Sequence, residues 1–125
     1  MESKQTGILG EKIAENYLKN KGYEILDKNY SFKISGPKRG EIDIIAKKEN
    51  TISFVEVKTL TSDKVIRPEE KVDYLKQRKI IKTGQSWLMK NKIPFDTKWQ
   101  IDVVSILINP NTKTAKIRHF PNAVF

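Results

Sequence analysis

The chain has 125 residues and no cysteine, and its 24 Lys and Arg residues against 15 Asp and Glu give a formal net charge of +9 at pH 7. This length suits a single domain, residues 1–125, that buries about two-thirds of its unfolded surface in one core. The composition excludes a disulfide scaffold, and no apolar run approaches the roughly 18 residues of a membrane-spanning helix.

A positive charge of this size attracts polyanions, so nucleic acid is the first partner that we expect. The Lys and Arg residues are spread through a mixed-sign sequence and are not gathered in an amphipathic tail, which disfavours a membrane surface. The first residues, Met1–Gln5, lack the apolar core of a signal peptide. We therefore expect a cytoplasmic protein that does not bind membranes.

The first predicted element is a helix from Thr6 to Lys21, with Thr6 as its candidate cap and Gly22 as a left-handed stop. Glu11 lies at the border of the apolar face and Glu15 points further out. Glu11 either reaches over a neighbouring sheet or is a solvated glutamate favoured by the helix dipole. The predicted apolar face consists of Leu9, Ile13, Ala14, Tyr17 and Leu18.

A first strand is predicted from Tyr23 to Lys33, followed by a turn rich in Gly and Pro from Ser35 to Gly40. Lys38 and Arg39 lie in this turn. Two interpretations remain open for them, a phosphate clamp and plain solvated charge.

The next segment predicts a β-hairpin, with strands at Ile42–Ala46 and Ile52–Val57 and a polar turn at Lys48–Thr51. A symmetric turn would bring three pairs of residues opposite each other. The pairs are Ile45 with Phe54, Asp43 with Glu56, and Glu41 with Lys58.

The opposed carboxylates of Asp43 and Glu56 carry the chemical interest of this hairpin. Cβ atoms across an antiparallel pair lie about 4.5 to 5.5 Å apart, and like charges that close repel unless a proton or a cation lies between them. Mg²⁺ takes one or two carboxylates and keeps its other positions for water and phosphate. Side chains alternate along a strand, so Glu56 and Lys58 share a face and the ammonium would lie beside the metal.

A second interpretation places Asp43 and Glu56 at the wet end of the hairpin. Lys58 would then pair with Glu41 in a surface contact worth roughly 0 to 1 kcal/mol. The second strand, however, is apolar on both faces, which is typical of a covered central strand. Because carboxylates in a covered strand need compensation, this context favours the metal site.

After a polar segment from Thr59 to Arg67, Pro68 marks a second helix from about Glu69 to Lys90. Gln77 either hydrogen-bonds a phosphate or a metal-bound water, or ends the core stripe. The stripe at helical spacing comprises Gln77, Ile80, Ile81, Gly84, Trp87 and Leu88. The opposite face carries Arg78, Lys79 and Lys82, which suit contacts with a phosphate backbone or serve solubility.

Asn91–Pro94 ends this helix, and two strands are predicted at Trp99–Ile108 and Thr114–Phe120. Asp102 is the single acid of the first of them, and we expect it to pair with a basic neighbour. His119 is the only histidine and is interpreted as structural. The element order is α-β-β-β-α-β-β, which predicts an α/β fold with a mixed β-sheet flanked by helices.

The hairpin resembles a known family. Asp43 followed by Glu56-Val57-Lys58 on adjacent strands is similar to the PD-(D/E)XK nuclease superfamily. The blocks Gly40–Ala46 and Phe54–Lys58 resemble the YraN-like branch of predicted endonucleases, whose relatives include Holliday-junction resolvases. The likeness runs from about Gly7 to the end of the chain, and one departure is Ile42, where the superfamily often has proline.

The resemblance implies a restriction-endonuclease-like core and a metal-dependent nuclease that acts in DNA repair or recombination. Asp43, Glu56 and the carbonyl of Val57 would hold Mg²⁺ or Mn²⁺, and Lys58 would orient the attacking water. Glu11 and Gln77 match positions that assist in such nucleases. Backbone shape, as at a junction or flap, is the expected basis of DNA recognition, and symmetric cutting would require a homodimer.

Two other classes of function stay open at this stage. One is a non-catalytic nucleic-acid-binding module with a nuclease-like fold. The other is an interaction subunit whose basic face docks on an acidic protein.

Overall fold

The computed structural model describes residues 4–61 and 73–123. The predicted element order, α-β-β-β-α-β-β, is confirmed. The elements are α1 (Lys4–Asn20), β1 (Glu24–Ser35), β2 (Lys38–Lys48), β3 (Thr51–Thr61), α2 (Tyr74–Lys90), β4 (Lys98–Asn109) and β5 (Thr114–Phe120). Neither of these helices, each 17 residues long, has the length and apolar character that crossing a membrane requires.

The strands form one sheet in the order β1-β2-β3-β4-β5. The pairs β1–β2, β2–β3 and β4–β5 are antiparallel, and β3–β4 is parallel. A parallel pair needs a crossover connection, and the segment that contains α2 provides it. The predicted mixed sheet with helices is therefore confirmed.

The sheet separates two apolar clusters, one under each helix. Side chains of β3 and β4 alternate between them, so both strands are buried on both faces, as parallel strands usually are. The α1 side contains Ala14, Leu18, Ile44, Ala46, Val55, Val104 and Ile106. The α2 side contains Ile42, Ile45, Ile52, Phe54, Ile80, Trp87, Ile101, Val103 and Ala123.

The register of the β2–β3 hairpin is the predicted one near its turn. Ile45 pairs with Phe54, and the turn consists of two residues, the first of which, Glu49, has a φ of 56°. The backbone pairing ends at Ile44 and Val55. The predicted oppositions of Asp43 with Glu56 and of Glu41 with Lys58 are therefore not continuations of this ladder.

Two element boundaries near the N-terminus differ from the prediction. Helix α1 begins at Lys4, so Thr6 lies inside it and is not its cap, whereas Gly22 with a φ of 93° ends the helix as expected. Strand β2 begins at Lys38, which pairs with Ser35, so the turn contracts to Gly36 and Pro37. Ser35, Lys38 and Arg39 pair between β1 and β2, and this backbone pairing outweighs their local turn preference. Arg39 therefore lies on a strand and not in the turn.

Helix α2 begins at Tyr74 and not at Glu69, because Asp73 is extended and acts as the N-cap. Its side chain accepts a hydrogen bond from the backbone N–H of Lys76 at 3.0 Å, a geometry that fixes a helix start. Pro68 and Glu69 lie outside the described residues. The buried residues of α2 are Ile80, Thr83, Gly84 and Trp87, and Gln77 is only half-buried.

We expect Gly84→Ala to destabilise the protein. A Cβ at this position would lie 2.5 Å from the Phe54 ring, closer than carbon atoms approach. Overpacking of this kind costs roughly 1 to 3 kcal/mol of unfolding free energy, although alanine favours helix by about 1 kcal/mol. Urea unfolding measures the loss, with the exposed neighbour Gln85→Ala as the control. A Gly84→Ala protein as stable as the control would contradict this account of the contact.

Candidate metal and phosphate site

The site lies where strands β2 and β3 stop pairing. The Asp43 carboxylate accepts a hydrogen bond from the backbone N–H of Val57 at 2.8 Å. A side-chain oxygen thus satisfies a donor on β3 beyond the last backbone pair. This contact ties Asp43 to the strand that carries Glu56.

Asp43 also lies at a reversal in the side-chain alternation of β2. Ile42 packs with the α2-side cluster, whereas Ile44 packs with the α1-side cluster and Ile45 again with the α2 side. A regular strand would place Ile42 and Ile44 on the same face. The neighbouring strand β1 departs from regular strand geometry at the same level, because Asn29, which lies beside Asp43, has a φ of 52°.

The reversal leaves the Asp43 carboxyl at the wall of two cavities. The larger has a volume of about 620 Å³, and the smaller, of about 200 Å³, lies towards α1. Glu11 also lines both. The larger cavity is lined by Glu11, Arg39, Gly40, Glu41, Asp43, Glu56, Val57, Asp73, Leu75, Lys76, Lys79 and Ile80.

Burial and the neighbouring acids act on the pKa of Asp43. Burial raises the pKa of the Asp43 carboxyl to about 6, the hydrogen bond from Val57 opposes this rise, and the charges of Glu11, Glu56 and Glu41 add to it. The carboxyl is thus held in a region that disfavours its ionised form. A bound cation would relieve this penalty.

The Glu56 side chain is 12% exposed, and its Oε1 forms an ion pair with the ammonium of Lys76. Its other oxygen, Oε2, is buried and has no hydrogen-bond partner among the described residues. An unsatisfied buried carboxylate oxygen is costly. It is also the kind of atom that a metal ion would bind.

The donor set fits a hard divalent cation that keeps part of its water shell. Within residues 4–61 and 73–123, no group of three or more His, Cys, Asp or Glu side chains is arranged to hold a metal. A closed cage of protein ligands is therefore not formed there. Asp43, Glu56 and Val57 nevertheless line one open cavity, and two carboxylates completed by water are the kind of partial ligand set that Mg²⁺ and Mn²⁺ accept.

The structure brings together six of the residues singled out from the sequence. Lys58 follows Glu56 by two residues on the same face of β3 but does not line the cavity, and Gln77 does not line it either. Lys38 starts strand β2. The six that line the cavity are Glu11, Arg39, Asp43, Glu56, Val57 and Lys79.

The predicted basic face of α2 borders a second groove of about 430 Å³. Arg78 and Lys82 line this groove and do not line the acidic cavity. Lys79 and Leu75 line both, so the two depressions adjoin along α2. A polyanion that follows this helix would pass from one to the other.

Lys76 was missed by the sequence reasoning. It lies in the first turn of α2 and forms an ion pair with Glu56, which belongs to a different element. A lysine in the first turn of a helix is unfavourable because the helix dipole is positive there. With the helix start at Tyr74 known, this unfavourable position would have been the one sign that Lys76 has a partner outside the helix.

Two other acids are compensated on the α1 side of the sheet, and neither of them lines the larger cavity. The buried Asp102 carboxylate binds His119 Nε2 at 2.8 Å, as expected from the sequence. Tyr17 Oη lies 3.3 Å from the other ring nitrogen, in agreement with a structural His119. Burial acts to raise the pKa of Asp102, but hydrogen bonds from His119 and two further groups outweigh it and lower the pKa.

Glu15 differs from its prediction, because it is 6% exposed and does not point away from the core. Its carboxylate binds Lys19 at 2.9 Å and Lys28 at 3.1 Å. The hydrogen bonds from these two lysines lower its pKa. Leu9, which was predicted to lie in the apolar face, is 50% exposed.

We expect Asp43→Asn to stabilise the metal-free protein at neutral pH. Because the pKa of Asp43 rises from 3.8 to about 6 on folding, the folded state binds more protons in this interval, and the unfolding free energy falls as pH increases through it. The loss is on the order of 1 to 3 kcal/mol. Asparagine removes the charge and keeps an oxygen that can accept from Val57 N–H.

Urea unfolding in a chelator between pH 4 and 8 measures this effect. The advantage of Asp43→Asn should grow up to about pH 6 and then stay constant. Asp43→Ala is the control, because it also loses the acceptor for Val57 N–H. Parallel pH profiles for the wild type and Asp43→Asn would contradict the raised pKa.

Comparison with known sequences identifies the family. A profile described as "Uncharacterised protein family UPF0102" matches residues 10–106. The UPF0102 protein of Caldanaerobacter subterraneus subsp. tengcongensis is 42% identical over 98% of this chain and 97% of its own length. That of Alkaliphilus oremlandii is 44% identical over 97% and 98%, and that of Clostridioides difficile 42% over 98% and 99%. The chain therefore belongs to the UPF0102 family, the YraN family that its hairpin motifs resemble.

Proposed function

We propose that this protein is a metal-dependent endonuclease that hydrolyses DNA phosphodiesters, with branched or junction DNA as its substrate class. One observation carries the proposal. The carboxylates of Asp43 and Glu56, from two adjacent strands, line one cavity together with Val57 and with the basic side chains of Arg39 and Lys79. Ligands for a cation and ligands for a phosphate thus border the same space.

Asp43, Glu56 and the backbone carbonyl of Val57 would hold Mg²⁺ or Mn²⁺. When bound, such an ion polarises the scissile phosphate and lowers the pKa of its water. Asp43 also orients the β3 backbone through its bond to Val57 N–H, so one side chain would hold both the ion and the strand that carries its second ligand.

The remaining residues would act on the phosphate and on water. Lys58, on the same face of β3 as Glu56, would offset the negative charge that develops on the phosphate in the transition state. Arg39 and Lys79 would bind phosphate oxygens, and Glu11 would hold a water at the border of the two cavities. Gln77 does not line the cavity, and its assisting role stays a prediction.

Contacts with the DNA backbone would come from the second groove. Its charged residues are Arg78, Lys79 and Lys82, and its apolar ones are Ile34 and Leu75. No aromatic ring lines this groove among the described residues, so stacking on single-stranded bases is not favoured there. Backbone shape, as at a junction or flap, is the feature that such a surface reads, and symmetric cleavage would use a homodimer.

The first test is cleavage of labelled linear, flapped and four-way-junction DNAs in Mn²⁺. We expect Glu56→Gln to abolish both cleavage and the stabilisation that Mn²⁺ gives in thermal unfolding. Lys58→Ala should keep that stabilisation and lose activity by about 10² to 10³-fold, the effect of removing one electrostatic stabiliser of a transition state.

Two results would contradict the proposal. DNA binding without cleavage and without stabilisation by Mn²⁺ would identify a non-catalytic nucleic-acid-binding module. Full activity in Lys58→Ala would remove the lysine from the mechanism.

The second test separates DNA binding from cleavage. Replacing Arg78, Lys79 and Lys82 by alanine should weaken binding equally for all sequences, because these residues bind phosphates. The slope of log K against log salt should fall by up to about 0.9 for each phosphate that is no longer neutralised. A matched control removes three exposed charges, Lys113, Lys116 and Arg118, from the opposite edge of the sheet. Equal slopes for the two triple variants would refute the assignment.

A further inference from the structure

Lys76 connects helix α2 to the acidic cavity. Its ammonium is paired with Glu56 Oε1, although the two residues lie on different elements. The lysine side chain is 50% exposed, whereas that of Glu56 is 12% exposed. One partner of this ion pair is therefore half-exposed, and the other is mostly buried.

Helix stability does not explain the position of Lys76. The first turn of α2 contains no acidic residue. The charged side chain of Lys76 belongs to this turn, where the helix dipole is positive. The backbone N–H of the same residue is already capped by Asp73. Among the residues that the structure describes, the ion pair with Glu56 is the contact that compensates this charge at an unfavourable place.

The pair also satisfies Glu56 only in part. The ammonium binds Oε1, while Oε2 stays buried without a hydrogen-bond partner among the described residues. A lysine ammonium is a single charge on a flexible stem. It neutralises one carboxylate, whereas a divalent ion can bind Glu56 and Asp43 together.

We propose that Lys76 is an exchangeable counter-cation of the metal site. Its ammonium neutralises Glu56 until a divalent cation binds, and it then turns away from Glu56 within the cavity and binds a substrate phosphate beside Lys79. This inference rests on the proposed function and deepens it, because it makes metal binding a condition for full DNA binding.

The direction of the exchange follows from exposure. Glu56 is fixed on a covered strand, whereas the half-exposed Lys76 can turn towards the cavity that both line. Coupling between two ligands is reciprocal. A phosphate that attracts Lys76 would therefore strengthen metal binding as much as metal strengthens phosphate binding.

The first experiment is a calorimetric titration of Mn²⁺ into the wild type, Lys76→Met and Lys79→Met. We expect Lys76→Met to bind Mn²⁺ about tenfold more tightly or more, because a competing cation in contact with the ligand has been removed. Lys79→Met is the matched control, since it removes the same charge from the same cavity but no described contact with Glu56. Its effect should be smaller, and Lys76→Arg should restore the wild-type affinity.

The second experiment measures the binding of labelled junction DNA in a chelator and in Ca²⁺, and it needs no cleavage. The gain in DNA affinity on adding Ca²⁺ should be smaller in Lys76→Met than in the wild type. In Lys79→Met the affinity should fall under both conditions while the gain stays the same.

The outcomes separate this inference from the proposed function. If the wild type binds no Mn²⁺, both are overturned. If it binds Mn²⁺ and Glu56→Gln does not, but Lys76→Met binds as the wild type does or more weakly, only the exchange is overturned. Weaker binding would mean that Lys76 holds Glu56 in place for the metal.

Discussion

The structure depends on how it compensates two carboxylates in a covered part of the sheet. Asp43 and Glu56 approach each other where helices pack on both faces, and burial there disfavours their charge. Within residues 4–61 and 73–123, each acid has only partial compensation, from Val57 N–H for Asp43 and from the Lys76 ammonium for Glu56. Burial raises the pKa of Asp43 despite its hydrogen bond from Val57 N–H, and Glu56 Oε2 is buried without a hydrogen-bond partner among the described residues.

Close backbone contacts bring both helices to this place. A Cβ at Gly40 would collide with Thr83 of α2, and a Cβ at Gly10 would collide with Thr59 of β3. Because these two positions lack side chains, α2 lies directly over β2, and α1 over β3. Glu11, which follows Gly10 on α1, and Lys79, which lies one turn before Thr83 on α2, border the cavity.

Much of the fold could be predicted from the sequence because it rests on periodicity. The element order and the register near Ile45 and Phe54 could be predicted from two features. These are the apolar runs of β3 and β4 and the polar turn between β2 and β3. The reversal at Asp43 could not be predicted, because strand alternation is a regular rule and two neighbouring strands break it together. The ion pair of Lys76 with Glu56 could not be predicted either, because it depends on a helix start fixed by Asp73 and on a partner from another element.

The cavity is acidic although the chain as a whole is basic. Five acidic and three basic side chains line it, while the net charge of the sequence is +9. The overall field attracts a polyanion to the surface, but a phosphate at the cavity itself would meet carboxylates that the described residues compensate only in part. Under the proposed function, a cation bound by Asp43 and Glu56 would reduce this repulsion, so metal binding and phosphate binding would each favour the other. A module that bound DNA only through its surface charge would gain nothing from these half-buried acids, and the penalty that burial places on the Asp43 carboxylate is the physical argument for the proposed function.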